Sequence, residues 1–587
     1  MDQKIVRLFI ERGFLLDKEM LDFLNELKDE DIANEIIDKI ALISKQKLIT
    51  KNLVNQNIEK IRPILYELDN EKKKLIERFF VNVSISVEVK KETIVEKNED
   101  LDNSNTDKNP VVKILSSPMI SSQKLEVKDF VKHFRNRYNF LKGLIQQRPD
   151  LEGLSSIDKI NHNKRTFSII GIVNSKTVTK SKNVILEVED LTGRVKLLIT
   201  QTKEEIFQKA KEIVLDDVIG FKCSGNGDLL FVNDLFYPDS FVKEKHRSEK
   251  ETYAIFISDI HVGSVNFLEK NFVRFLDWLN GIDVSDEQIS ILKKIKYIFI
   301  VGDNVDGVGV YPGQEKFLTI KDMKEQYNVL AKYLKKIPDT ISIIMCAGQH
   351  DGVRVAEPQP PIGEDFGEAL HKLKNLYLVS NPSMVEIEGN PEREGIKVLM
   401  YHGASMHPII NEIEELRLIN GHHHPARVVK HLLLRRHLAP IHGSMVYIPD
   451  KNEDSMLIRE VPDIVATGDL HKTDIDKYNG TLIICSSCWQ SITPFEEKVG
   501  NLPDPCKVPI LNLQSGAIKI MDFTDGEASS LSTENEGHKE EIKEVQCEEV
   551  KKENENEVKT PEIDKIISDK PEVICEAKIE VKKEYEK

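Results

Sequence analysis

Five short polar clusters mark the second half of the chain, each at the end of an apolar run. They are Asp259-Ile260-His261 after YAIFIS, Gly302-Asp303-Asn304-Val305-Asp306 after YIFIV, Gly348-Gln349-His350-Asp351 after ISIIMCA, His402-Gly403 after KVLMY, and Gly468-Asp469-Leu470-His471 after DIVAT. Carboxylates and imidazoles in this mixture suit manganese or iron, whereas magnesium prefers oxygen throughout. A lone DxH or GD pair carries almost no information. Five in succession, each beyond a run that reads as a buried strand, fall where open α/β sheets keep their sites, at the carboxyl ends of the strands.

Those runs belong to a segment, 251–523, in which strands alternate with helical stretches, the pattern of a layered α/β domain. Ahead of it, between Thr166 and Tyr237, the pattern changes to short β-branched runs (FSIIGIV, NVILEVED, RVKLLIT, VIGFKC, LLFVNDLFY) separated by Gly, Asn and Asp. Five such runs in so short a span predict a small closed barrel of the oligonucleotide/oligosaccharide-binding type over 165–245. No obvious set of aromatics for stacking bases lies within it, so a barrel used only for packing is an equal reading. An amphipathic helix is expected within a connector at 126–164, stopped by Pro149. Residues 1–80 repeat apolar positions three and four apart and read as a helical domain. Residues 81–125 form a charged linker in this reading, and 524–587, with Tyr585 as their sole aromatic, a disordered acidic tail. The chain is thus multidomain α/β.

Composition limits the function. The net charge is −16, but residues 524–587 hold 20 acidic and 11 basic side chains, so −9 sits in the tail and −7 is left for the rest. A protein that grips nucleic acid alone relies on a basic face; this chain needs metal ions, a partner, or both. No apolar run reaches the roughly 18 residues of a membrane helix. The N-terminus does not read as a secretory signal, and the 7 cysteines are too few for a disulfide framework, which points to the cytoplasm.

The order DxH, GDxxD, G-x-HD, H, G-x-x-H resembles the signature of the calcineurin-like metallophosphoesterases. The wider stretches FISDIHVGS, VGDNVDGVGVYPGQ, AGQHDGVRVAEPQP and LLLRRHLAP are similar to the small subunits of archaeal D-family DNA polymerases. That resemblance extends over 1–80 and 115–523. It implies a manganese-supported nuclease with two divalent ions, magnesium or iron being the alternatives. Such an enzyme removes nucleotides 3' to 5' from single-stranded or mismatched DNA ends beside a separate large catalytic subunit. A sliding clamp is a further candidate partner, and a membrane is not. Carried over, the first ion takes Asp259, His261, Asp303 and His471, and the second takes Asp303, Gln349, His402 and Asp469. Two ions roughly 3.5 to 4 Å apart need a bridging carboxylate, and Asp303 is that bridge. His350, oriented by Asp351, would protonate the leaving oxygen. The sequence departs from the signature twice, with Gln349 for an asparagine and Asp469 for a histidine, and both changes fall on the second ion.

Other motifs read more plainly. The literal GHxH at Gly421-His422-His423-His424 follows a helix-like run and reads as solvent-exposed loop histidines. Cys485 and Cys488 lack a second pair at zinc spacing and read as core or loop thiols. Arg354, Arg435 and Arg436 read equally as DNA-phosphate contacts and as solvated or salt-bridged side chains. No second set of strand-end carboxylates remains for polymerisation. The alternatives to a proofreading nuclease are an assembly subunit without activity and a phosphatase acting on small monoesters or phosphoproteins.

Overall fold

A computed structural model describes residues 112–524, apart from 121–123, 161–165, 226–228, 243, 391 and 451–452, together with two dipeptide strands nearer the N-terminus. Backbone contacts divide the chain into units 1–106 and 107–587. In the first, Leu15–Leu16 pairs in parallel with Leu48–Ile49. The rest of 1–80, expected to be helical, lies outside the described residues, as does the tail from 525. Among the described residues no helix is long and apolar enough to cross a membrane.

The expected linker 81–125 is corrected at its far end. Val112–Ser116 (β1) pairs antiparallel with Ser383–Ile387, because VVKIL supplies enough β-branched and apolar surface for Val112 and Leu115 to join the cores on either face of that strand. The connector helix α1, Val127–Ile145, begins with a capping box between Glu126 and Asp129. The five runs of 166–237 form the strands β2 (Thr166–Val178), β3 (Val184–Glu189), β4 (Arg194–Ile199), β5 (Val218–Ser224) and β6 (Leu229–Phe236), with helix α2, Glu204–Lys211, between β4 and β5. Their order is β2-β3-β4-β6-β5, closed by β5 on β2. Alternate residues such as Leu186, Val188, Leu197 and Ile199 fill the barrel interior. The β3–β4 turn is held by Asp190, whose carboxylate accepts from the Thr192 and Gly193 amides.

Beyond the barrel two six-stranded sheets lie face to face. The first runs β10-β9-β8-β7-β16-β17, comprising β7 (Tyr253–Ile257), β8 (Ile295–Val301), β9 (Ser342–Cys346), β10 (Leu376–Leu378), β16 (Lys507–Asn512) and β17 (Ile518–Asp522). The second runs β14-β15-β13-β12-β11-β1, with β11 (Ser383–Ile387), β12 (Ile396–Met400), β13 (Ile464–Thr467), β14 (Asp474–Tyr478) and β15 (Thr481–Cys485). Strands β7 to β10 are mutually parallel, as are β12, β13 and β15. Being covered on both faces, the central strands are apolar without alternation. Phe256, Phe299 and Ile344 of one sheet meet Val385, Val398 and Ile484 of the other in the middle layer. Helices α3 (Glu269–Leu279) and α4 (Met323–Leu334) cover the outside of the first sheet. Helices α5 (Met406–Glu412) and α6 (Pro425–Arg435) cover the second. A short helix α7, Pro494–Val499, precedes β16.

Candidate metal centre

All five clusters emerge from the carboxyl ends of β7, β8 and β9 in one sheet and of β12 and β13 in the other, so the two sheets bring their ends to a single place. The chain must turn sharply as it leaves each strand. Asp259, His261, Asp303, Asp469 and His471 have φ of 50, 53, 47, 68 and 53°, a region disfavoured for residues with a side chain and found where function over-determines the backbone. Close approach explains two of the glycines: a Cβ on Gly302 would collide with the His402 ring, and one on Gly348 with Asp303.

The polar atoms gather at coordination spacing. Donors sharing an ion through bonds of about 2.1 Å lie roughly 3.0 to 4.2 Å apart, for right-angled and opposed positions. His471 Nε2 is 3.4 Å from Asp259 Oδ1 and 3.4 Å from His261 Nε2. His261 Nε2 is 4.0 Å from both Asp259 Oδ1 and Asp303 Oδ2. His402 Nε2 is 3.3 Å from Asp303 Oδ2, 3.9 Å from Asp259 Oδ1 and 3.8 Å from Asp469 Oδ1. Asp303 thus stands between His261 and His402. Gln349 reaches the cluster through its amide, donating from Nε2 to Asp469 Oδ1 at 2.8 Å. His402 Nε2, Gln349 Oε1 and Asp469 Oδ2 are buried without hydrogen-bond partners. Unpartnered donor atoms facing a cluster of carboxylates fit divalent cations.

Electrostatics supports the same reading. Burial opposes the charge on Asp303 and Asp259, yet the His402 and His350 imidazoles hold the first carboxyl well below its usual range, and His471 and His402 lower the second. Conversely, Asp303 and Asp259 raise His402 far above the ordinary imidazole range against the effect of burial. Without an ion the carboxylates thus draw protons onto the imidazoles, charge that a divalent cation would replace.

Residues behind the cluster fix its imidazoles. His402 Nδ1 donates to the Val301 carbonyl at 2.7 Å, leaving Nε2 for the site. His261 Nδ1 lies 3.2 Å from Asp306 Oδ1, and Asp306 accepts in turn from Gln314 and Gln490. His471 Nδ1 lies 2.8 Å from Glu496 Oε1, whose other oxygen accepts from the Thr493 amide and hydroxyl. Asp306 was visible in the GDxxD cluster without an assigned role. Glu496 could have been found from Thr493-Pro494-Phe495-Glu496, a capping box at the start of α7.

Several expectations change. His350 is oriented by the Asp306 carbonyl, which accepts from Nδ1 at 2.7 Å, and not by Asp351. The Asp351 carboxylate is buried, where it accepts from the Gly348 amide, Asn304 and the Tyr327 hydroxyl; it shapes the loop that carries Gln349 and His350. The 421–424 segment lies beside the site: His422 is half-buried, with Nε2 3.1 Å from His407 Nδ1. None of the three arginines presents a free guanidinium to DNA. Arg435 is buried against Asp217 at 2.9 Å, Arg436 donates to the Ile458 and Arg459 carbonyls, and Arg354 to those of Ile120 and Pro358. Cys485 and Cys488 are buried free thiols, as expected.

Comparison with known proteins defines the class first. Residues 254–475 match the family described as the B-subunits of DNA polymerases alpha and epsilon. Over 399 residues the chain is 36% identical to the DNA polymerase II small subunit of Methanothermobacter thermautotrophicus, covering 68% of this chain and 80% of that one. Over 520 residues it is 32% identical to that of Archaeoglobus fulgidus, covering 88% and 97%. The Pyrococcus furiosus protein is 36% identical over 404 residues, and the match spans 64% of its length. The chain belongs to the family of DNA polymerase II small subunits, as its motifs suggested.

Proposed function

We propose that this chain is the proofreading subunit of a heteromeric DNA polymerase, a hydrolase that removes nucleotides 3' to 5' from single-stranded or mismatched DNA ends while a large subunit synthesises DNA. The observation that carries the reading is the placement of Asp303 Oδ2 at donor spacing from both His261 and His402, the position a shared carboxylate needs. Within this reading the two-sheet body is a calcineurin-like phosphoesterase, and the closed barrel is of the oligonucleotide-binding type. One ion would be held by Asp259, His261, Asp303 and His471, the other by Asp303, Gln349, His402 and Asp469. Manganese or iron suits this donor set better than magnesium. When bound, the pair supplies an activated water and Lewis-acid stabilisation of the phosphodiester oxygens.

The chain's own residues supply the rest. His350 gives Nδ1–H to the Asp306 carbonyl and is held through its backbone amide by Asp303 Oδ1 at 2.8 Å. Its Nε2 is therefore the atom able to deliver a proton to the departing 3' oxygen. Asp306 and Glu496 keep the Nε2 atoms of His261 and His471 turned inward. A second reading, an assembly subunit without activity, has one observation in its favour: the Gln349–Asp469 hydrogen bond closes the two substituted positions on each other.

The test compares release of nucleotides from a 3'-mismatched oligonucleotide with hydrolysis of an aryl phosphate, by the purified chain alone and with its large subunit, in Mn, Mg and chelator. Mn-dependent trimming that chelator abolishes is expected. Aryl phosphate turnover without trimming would replace the nuclease by a phosphatase, and inactivity throughout would establish the assembly role.

A further inference from the structure

With Asp469 where the phosphoesterase signature has a histidine, the second half of the site is one imidazole short, and the fold brings another there. His407, near the start of α5, places Nε2 3.4 Å from Asp469 Oδ2. Asp469 Oδ1 is 3.8 Å from His402 Nε2, which is 3.3 Å from Asp303 Oδ2. Asp469 thus faces His402 with one oxygen and His407 with the other, each at a separation seen between neighbouring donors of an ion. Met406, Ile409 and Ile410 are buried in the core outside the second sheet and anchor the helix, while the His407 side chain stays 40% exposed at the mouth of the site.

The other nitrogen of His407 is also engaged. Nδ1 lies 3.1 Å from His422 Nε2, with the rings tilted 44°. Metal-bound histidines characteristically donate their second N–H to a neighbouring acceptor, which fixes the tautomer. With Nδ1–H donating to His422, the lone pair of His407 Nε2 is turned toward Asp469. This gives the literal GHxH segment a place in the site: its first histidine backs a donor borrowed from another helix.

We propose that His407 is a ligand of the second ion, standing in for the imidazole absent at position 469, and that His422 is its positioning residue. The inference rests on the two-ion reading above, and its test counts ions directly. The full-length chain is titrated with Mn, and free and bound ion are followed by electron paramagnetic resonance. Wild type should hold two ions. His407→Ala should weaken one of them at least 10-fold and leave the other unchanged, with an unaltered melting temperature. His422→Phe should weaken the same ion by up to about 10-fold, the lower end of losses behind metal ligands. Asp469→His in the His407→Ala background should restore it. A His407→Ala titration identical to wild type would overturn this inference while leaving the nuclease reading intact; a wild type that holds a single ion would remove both.

Discussion

Around Asp259, His261 and His471 the imidazoles are gripped from behind by carboxylates, Asp306 for one and Glu496 for the other, and each carboxylate is itself hydrogen-bonded. Around Gln349, His402 and Asp469 the grip is looser. His402 leans on a backbone carbonyl, two side-chain oxygens have no hydrogen-bond partner, and the outermost imidazole is 40% exposed. In the ligand sets proposed above, the closed half keeps the residues of the family signature, and the open half carries both departures. An imidazole whose second nitrogen faces a hydrogen-bonded carboxylate has little slack for a longer or differently charged neighbour, because moving it disturbs that carboxylate as well. At the mouth of the site a substitution can be absorbed by solvent and by a neighbouring helix.

Substitutions put the two halves to the test. Asp303 belongs to both proposed ligand sets, so Asp303→Ala should abolish hydrolysis and reduce Mn binding at both ions, while circular dichroism shows an intact fold. Retained cleavage in Mn would remove the shared carboxylate from the account. His350→Ala should keep both ions and slow turnover by about two to four orders of magnitude; a loss of bound Mn instead would make His350 a ligand. Glu496→Gln, behind His471, should weaken only the closed half, by about 10- to 100-fold in Mn affinity. An effect on the open half would show that the two are not separable. The smallest effect is expected from Gln349→Asn with Asp469→His. The added imidazole should move the preference from Mg toward Mn by a few-fold in rate titrations, and superimposable curves would show that neither side chain is a ligand.

Much of this was legible in the sequence because strand-end clusters are local signals: an apolar run fixes the strand, and the polar residues just after it must lie at its end. The barrel was legible for the same reason, through five short runs and their turns. What could not be read is what arises between distant segments. Glu496 lies 25 residues from the His471 it supports, and His407 and His422 meet only because two helices pack on the same sheet. The orientation of His350 depends on a backbone carbonyl, which no residue type advertises. The strand at 112–116 was hidden by the polar sequence ahead of it, since an edge strand needs few apolar residues. The arginines could be read two ways because burial is not written in a residue's name.

One of those arginines has a wider consequence. Arg435 sits at the end of α6, yet its partner Asp217 is at the base of the barrel, and its guanidinium also lies 5.1 Å over the Tyr237 ring. Across α1 the same device recurs, with Arg137 bound to Asp454 at 2.7 Å while Tyr138 donates to the Ile170 carbonyl of the barrel. Separating barrel from sandwich would break the buried Arg435–Asp217 pair and, whichever body α1 stayed with, either the Arg137–Asp454 pair or the Tyr138 hydrogen bond, and would return the surface packed around them to water. The two bodies are therefore coupled through buried polar contacts that neither keeps alone. Scanning calorimetry should accordingly record one cooperative heat-absorption peak for barrel and sandwich together, so that a boundary plain in the sequence near residue 245 vanishes as a unit of unfolding.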